Sequence, residues 1–327
     1  MPLSMPPARA VDLRVEPIDD VLDHVEQSLH VCVDRGTVIR KRRSVGMRTG
    51  RNTWVRAERR SFQRIAAQGG NGPETAAVLR GVVMPRWHSG LTWRDEHELV
   101  MWRADETDFV TGAPVGPAAL LIEDPRLTNA WWAELNASLD ALASQPTPRI
   151  ATPDTESINQ KLVDATIRQV FPEVANLTVD EWASAHADLT WANVMGPQFC
   201  IIDWEDWGIA PRGLDAATLW GNALAIPALA DRGWNERRRD LESRSGQLMA
   251  LFACAKAPAH GSRLRPGCQD RPDRRGARGV APSLTLRENR DKRSAAGGQM
   301  AESGIEIVRT ARLPKGGHWD ICPFLKK

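Results

Sequence analysis

The stretch that decides the fold runs His186-Ala187-Asp188-Leu189-Thr190-Trp191-Ala192-Asn193 and is followed by Ile201-Ile202-Asp203-Trp204-Glu205. An Asp and an Asn stand five residues apart on a loop-like segment, and a third oxygen donor, Asp203, closes a short apolar run that reads as a buried strand. Hard oxygen ligands on converging loops suit Mg²⁺, which takes few protein carboxylates and completes its shell with water and substrate phosphates. Phosphoryl transfer asks a protein for positioning and charge neutralisation more than for covalent chemistry. It also needs one carboxylate beside the acceptor hydroxyl. Three such groups between positions 188 and 203 supply both needs.

This stretch resembles the signature H-G-D-x-x-x-x-N, then h-h-D-W/h-E, of the aminoglycoside and choline kinase phosphotransferases, relatives of the protein kinases. The resemblance implies that Asp188 is the catalytic base, that His186 braces its loop, and that Asn193 and Asp203 hold Mg²⁺. Downstream, Ala210-Pro211-Arg212-Gly213-Leu214-Asp215-Ala216-Ala217 is similar to the family's P-x-x-D-h-A segment, in which Asp215 steadies the catalytic loop from the start of a helix. The implied fold is α+β and bilobal, protein-kinase-like, with a strand-rich small lobe and a helix-rich large lobe. The implied cofactors are ATP and Mg²⁺, and the implied partner is a small-molecule hydroxyl acceptor, with aminoglycoside-like compounds as one class. The resemblance is specific from Trp182 to Trp220, diffuse back to Val31 and absent after Ala255.

Three positions depart from the family pattern. Ala187 stands where a glycine is usual, which costs stability if the backbone there needs positive φ. The strand Thr53-Trp54-Val55-Arg56-Ala57 carries Arg56 at the place of the lysine that binds ATP phosphates; arginine binds phosphate with a different geometry. Its neighbours Lys41, Arg42 and Arg43 are alternative phosphate contacts. The glycine-poor segment Ser44 to Gly50 is the candidate phosphate-covering loop. These departures leave open an alternative, a catalytically impaired kinase-like protein that binds nucleotide or another ligand.

Outward from the signature, the N-terminal third reads as strands and hairpins. His30 to Val33 and Thr37 to Ile39 flank the turn Asp34-Arg35-Gly36, and Thr53 to Ala57 follows a polar turn. A short helix is expected from Ser61 to Gln68, ended by Gly69-Gly70, with further strands at Val78 to Met84 and Leu99 to Trp102. The segment from Trp102 to Asp108 is a candidate adenine-binding hinge, and Thr107 to Pro117 a lobe boundary. The period then becomes helical. Trp131, Leu135, Leu139 and Leu142 form one apolar face, and Ile158, Leu162 and Ala165 another. Thr178 with Glu181 reads as a capping box opening a helix toward Trp182. Two more helices are expected at Leu214 to Leu229 and Glu236 to Ala253. The expected domains are a small nucleotide-binding lobe over 1–110, a large catalytic lobe over 111–255 and a separate segment over 256–327.

That last segment differs in kind. Residues 256–327 carry sixteen Lys and Arg against seven Asp and Glu, although the whole 327-residue chain has a net charge of only +2. Arg, Gly, Pro, Ala and Ser dominate there and apolar periodicity lapses, so it reads either as a disordered basic tail or as sequence foreign to the fold, such as a shifted reading frame. The second reading is preferred, because the break falls inside an apolar helix. Clusters such as Arg271 to Arg278 lack interleaved aromatics, so no specific nucleic-acid partner is expected. Composition elsewhere is that of a globular protein, with 42% hydrophobic and 26% charged residues. No apolar run reaches the length that spans a bilayer, and the Pro-rich start does not read as a signal peptide, so no membrane partner is expected. The five scattered cysteines make no C-x-x-C pair, which points to a reducing cytoplasm.

Overall fold

The computed structural model describes residues 11–95, 98–262, 283–287, 306–312 and 318–320 of the chain. Residues 1–261 form one compact unit and residues 262–327 another. In the first unit a strand-rich small lobe precedes a helix-rich large lobe, the α+β bilobal arrangement that the signature implied.

The small lobe is an antiparallel five-stranded sheet of β1 (Ile39–Arg40), β2 (Ser44–Arg48), β3 (Thr53–Ser61), β4 (Trp87–Arg94) and β5 (Val100–Asp108), in the order β1-β2-β3-β5-β4. Side chains alternate across a strand, so Val55 and Ala57 of β3 and Trp102 and Ala104 of β5 share one face. They pack there with Val45 and Met47 of β2 and with Leu22 and Val25 of helix α1 (Asp19–Leu29). The opposite face of β3 carries Trp54, Arg56, Glu58 and Arg60. Two short helices, α2 (Phe62–Gln68) and α3 (Gly72–Ala76), separate β3 from β4. Ser61 caps α2, its hydroxyl accepting the Arg64 N–H at 3.2 Å.

The small lobe corrects several sequence expectations. Helix α1 lies where only strands and hairpins were expected; Asp19 and Asp20 in its first turn favour the helix N-terminus, and Leu22 and Val25 three apart give it a buried face. His30 to Val33 is not a strand: His30 ends α1 in a left-handed conformation, and Val33 makes a single bridge to Thr49. Residues 35–37 form a single 3₁₀ turn. The expected strand at Val78 to Met84 is irregular chain whose backbone bonds to Ser138 and Ile201, and the strand lies later, at β4. Ser44 to Arg48, expected as a phosphate-covering loop, is β2, paired with β3 along its length. The turn between β1 and β2 is instead Lys41-Arg42-Arg43. The candidate hinge from Trp102 to Asp108 is entirely within β5.

In the large lobe, β6 (Ala113–Pro114) pairs with β8 (Met195–Gly196), and β7 (Trp182–Ala185) with β9 (Gly208–Pro211). Around these lie α4 (Asn129–Ala143), α5 (Gln160–Val170), α6 (Leu214–Gly221), α7 (Pro227–Glu236), α8 (Arg238–Leu241) and α9 (Arg244–Ser262). The α4 face is the one the sequence indicates: Trp131, Leu135, Leu139 and Leu142 are all buried, and the Trp131 ring stacks on Trp191 at 6.3 Å. On α5 the buried residues are Val163 and Ile167, in place of the expected Leu162 and Ala165. The capping box at Thr178 opens no helix, because Trp182 to Ala185 pair with β9 while the Glu181 N–H donates to Ser245 Oγ at 3.0 Å. The single helix expected at Leu214 to Leu229 is split; Pro227, which cannot donate a backbone bond, starts α7. The helix expected at Glu236 to Ala253 is likewise two, and α9 continues to Ser262. Among the described residues no helix is long and apolar enough to cross a membrane.

In the second unit, β10 (Ser283–Arg287), β11 (Glu306–Arg312) and β12 (His318–Asp320) form an antiparallel sheet in that order. The expectation of a disordered or foreign segment over 256–327 otherwise falls on residues outside those described.

Candidate active site

The loop between β7 and β8 carries His186 to Asn193, and its conformation is fixed from three sides. From the first turn of α6, the buried Asp215 carboxylate accepts two consecutive backbone N–H groups, His186 at 2.7 Å and Ala187 at 2.8 Å. That double bond holds Ala187 at φ 70°, in the left-handed region that glycine adopts more easily. The His186 ring is fully buried, lies edge-on to Trp204 at 4.8 Å and meets the Ile202 carbonyl at 3.0 Å. A carbonyl only accepts, so Nε2 carries the proton and Nδ1 faces the interior without a hydrogen-bond partner. Asn193 is the third support: its Nδ2 donates to the Asp188 carbonyl at 2.7 Å and to the Asp188 carboxylate at 2.9 Å.

With its amide nitrogen so engaged, Asn193 has its side-chain oxygen left to offer elsewhere. Its backbone carbonyl accepts the Ile202 N–H at 2.9 Å, and Val194 bridges to Ile201, so the segment ending in Asp203 runs beside the one containing Asn193. Asp203 thus follows directly on a segment paired with the one containing Asn193, and its charge acts on Asp188. Asp203 also has a left-handed backbone, φ 69°.

The two carboxylates of this site have opposite electrostatic settings. Asp188 is pushed up to about 7, first by burial and then by the negative charges of Asp203, Asp206 and Asp154, with the Asn193 hydrogen bond pulling the other way. For Asp203, burial also opposes ionisation, but Arg56, then Lys41, His186 and Arg60 outweigh it and hold the carboxyl below its usual range. An ionised Asp203 beside a free amide oxygen is a hard-oxygen donor pair of the kind Mg²⁺ takes. Among the described residues no group of three or more His, Cys, Asp and Glu is arranged to hold a metal ion. A cation here would rest on this pair together with oxygens of a bound phosphate.

Arg56 is deeply engaged. Its Nη1 lies 3.4 Å from Asp203 and pairs with Glu205, while Nη2 is 3.2 Å from Glu58. Arg60, two residues beyond Glu58 and 4% exposed, contacts Glu58 at 3.0 Å and Glu205 at 2.6 Å. These β3 side chains join the small lobe to the segment after Asp203. Arg149 pins that segment from behind, donating to the carbonyls of Glu205 and Trp207, both at 2.6 Å. A Cβ at Gly72 would stand 2.6 Å from Glu205 Cα, so the close approach of α3 to this turn requires glycine. Read from the sequence alone, Glu205 is either a solvated loop end or a contact for a cationic acceptor, and neither Glu58 nor Arg60 stands out. The available signal was the alternation Arg56, Glu58, Arg60 along one face of β3.

Beside Asp188 a pocket of about 60 Å³ opens between the catalytic loop, the turn at Pro153 and Asp154, α6 and α9. A phosphate-carrying site bounded by Asp203 and Asn193 on one side and this pocket on the other would have the Asp188 carboxylate between them.

No protein-family model matches the chain, and no curated protein matches it. Solved structures do. The GDP complex of wild-type aminoglycoside 2'-phosphotransferase-IIIa aligns with a TM-score of 0.51 at 14% identity, over 76% of this chain and 93% of that one. The GDP and kanamycin complex of APH(2")-IIia aligns with the same TM-score at 13% identity, over the same shares. At these identities the likeness is one of fold: the chain has the protein-kinase-like fold of the aminoglycoside phosphotransferases.

Proposed function

We propose that this chain is an ATP-dependent phosphotransferase that moves the γ-phosphate to a hydroxyl of a small molecule. The observation that carries the reading is the setting of Asp188. Its carboxylate is oriented by Asn193, shifted to about 7 and half-buried in the wall of a pocket, as suits a base for an alcohol. Asp188 takes the proton of the acceptor hydroxyl as that oxygen bonds to the γ-phosphorus, the bond to the β,γ-bridging oxygen breaks, and ADP leaves. Asp203 and the Asn193 amide oxygen would hold Mg²⁺, which when bound would supply charge neutralisation at the transferring phosphate. His186 and Asp215 act through the backbone, keeping Asp188 in place. Arg56 and, from the β1–β2 turn, Lys41 supply positive charge toward the phosphates. Both similar solved structures hold GDP, so GTP belongs beside ATP in any assay. Aminoglycoside-like compounds are one acceptor class to try.

A second reading has its own observation. Arg56 is already satisfied by Glu58, Asp203 and Glu205, which suits a protein that binds nucleotide or another ligand without turning it over. Nucleotide turnover with and without Mg²⁺ separates the two. Turnover that needs Mg²⁺ and is lost in Asp188→Asn supports the kinase; nucleotide binding with no turnover for any acceptor supports the second reading.

A further inference from the structure

The pocket beside Asp188 has a charge pattern that bears on what it can accept. Three of its lining residues are charged: Asp188, Asp154 and Lys256. Asp154 is matched by Lys256, whose Nζ lies 2.6 Å from its carboxylate and 4.8 Å from the centre of the Phe252 ring. The rest of the wall includes Thr190, Thr218 and Asn222; the Thr218 hydroxyl donates to the Leu214 carbonyl at 2.8 Å and keeps its lone pairs for a ligand, while Phe252, 1% exposed, is packed behind the surface. The turn that presents Asp154 is also backbone-strained, with Asp154 at φ 56° and the β-branched Thr155 at φ 72°. Neither conformation is cheap for its residue, and such strain persists where the surroundings enforce it, commonly at ligand sites.

From this we infer that the acceptor is an uncharged polyhydroxyl compound, and not a polycation; the inference rests on the phosphotransfer reading above and narrows it. A polyamine-bearing acceptor needs several carboxylates free to face it. Here one of two carboxylates is already paired, and the pairing cation stands in the pocket wall, where it repels a second positive charge. The Thr190 hydroxyl and the Asn222 amide instead both donate to and accept from sugar-like hydroxyls, and the Thr218 hydroxyl accepts from them.

The test is a thermal-shift series on the full chain saturated with Mg²⁺ and AMP-PNP. The probes, at millimolar concentration, are kanamycin on one side and phenyl glucoside, uridine and inositol on the other. A ligand of the native state raises the melting temperature by mass action. The expected result is a rise with at least one neutral compound and none with kanamycin. In Lys256→Glu, which removes this cation from Asp154 and adds an anion, kanamycin should bind more tightly by about tenfold or more. Lys256→Gln, which only removes the cation, should show the same change to a lesser degree and serves if the first variant does not fold. A kanamycin shift in the wild type as large as any neutral compound's overturns the inference. So does a failure of every neutral compound, or of both variants to gain kanamycin binding. If Mg²⁺ and AMP-PNP themselves produce no shift, the phosphotransferase reading fails first, so the two failures are told apart.

Discussion

The catalytic loop and the β3 ion-pair network lie on either side of Asp203, and they are built in opposite ways. The loop is local in sequence: eight residues from His186 to Asn193, with one distant support, Asp215, that donates no chemistry of its own. The network is assembled from residues far apart, with Arg56, Glu58 and Arg60 on a strand of the small lobe and Glu205 in the large lobe. The loop keeps the carboxylate proposed as the base where it can titrate. The network keeps cations and carboxylates buried and paired, joining the two lobes. The difference is that a reactive group needs a rigid backbone near a pocket, whereas a buried charge needs partners, whichever segments supply them.

The largest effect should come from the loop. Asp188→Asn should lower turnover by about 10²–10⁴-fold while nucleotide still binds, since the amide keeps the shape and loses the base. In the wild type, kcat/KM should rise with pH up to about 7, where Asp188 deprotonates, and level off above it. Stability should respond in the opposite direction. The folded carboxyl retains its proton above the ordinary aspartate range while the unfolded one has lost it. Folding stability is thus lost as pH rises from about 4 to 7, and Asp188→Asn should flatten that part of the melting curve. A variant that keeps full turnover, or a wild-type profile flat across pH 6 to about 8, would remove Asp188 from the base role.

On the other side of the comparison the effect should be on folding. Arg60→Met strips a cation from Glu58 and Glu205 in a place 4% exposed. Breaking a buried ion pair from one side costs about 3 kcal/mol, because the remaining charge is left buried. Urea denaturation should show a loss of that order, with the residual folded fraction still binding nucleotide. A loss under about 1 kcal/mol would mean that the network behaves as a surface ion pair and does not tie the lobes together.

How much of this the sequence disclosed follows the same division. The loop's course was readable because the chemistry that the resemblance implies requires fixed residue types at fixed spacing along one segment. Helix α4 was readable because Trp131, Leu135, Leu139 and Leu142 keep the helical period. Helix α1 also carries that period, but its short apolar face, Leu22 and Val25, is outnumbered by polar residues. The helix expected at Glu181 failed because strand pairing of Trp182 to Ala185 with β9 outweighs a local capping pattern. Glu205 was missed because its two arginine partners lie almost 150 positions earlier, and burial of a charge is a tertiary fact that no local pattern reports.

A smaller effect tests where phosphate charge is met. Arg56 is bound by three carboxylates, whereas Lys41, in the β1–β2 turn, acts on Asp203 electrostatically and is an exposed side chain. Lys41→Ala should therefore weaken binding of Mg²⁺ and ATP by about tenfold, the equivalent of one partly screened charge contact. Titration calorimetry decides it: unchanged affinity in Lys41→Ala would return the phosphate role to Arg56 alone.

The smallest effect concerns Ala187, and it is best measured against a second alanine. Ala187 is 4% exposed and Ala210, in β9, is fully buried, so trimming either to glycine removes a buried methyl group. That loss costs about 0.8 kcal/mol, and glycine's freedom in the unfolded chain adds about 0.5–1 kcal/mol. Ala210→Gly should thus destabilise by about 1.5 kcal/mol. Ala187 differs in one respect: Asp215 holds its peptide at φ 70°, where an L side chain costs about 1–2 kcal/mol that glycine does not incur. The two contributions nearly cancel, so Ala187→Gly should leave stability within about 0.5 kcal/mol of the wild type. Both variants measured by urea denaturation under one set of conditions give the comparison directly. Equal losses at the two sites would mean that the Ala187 backbone carries no strain, and that the left-handed turn is as comfortable for alanine as for the glycine usual in the signature.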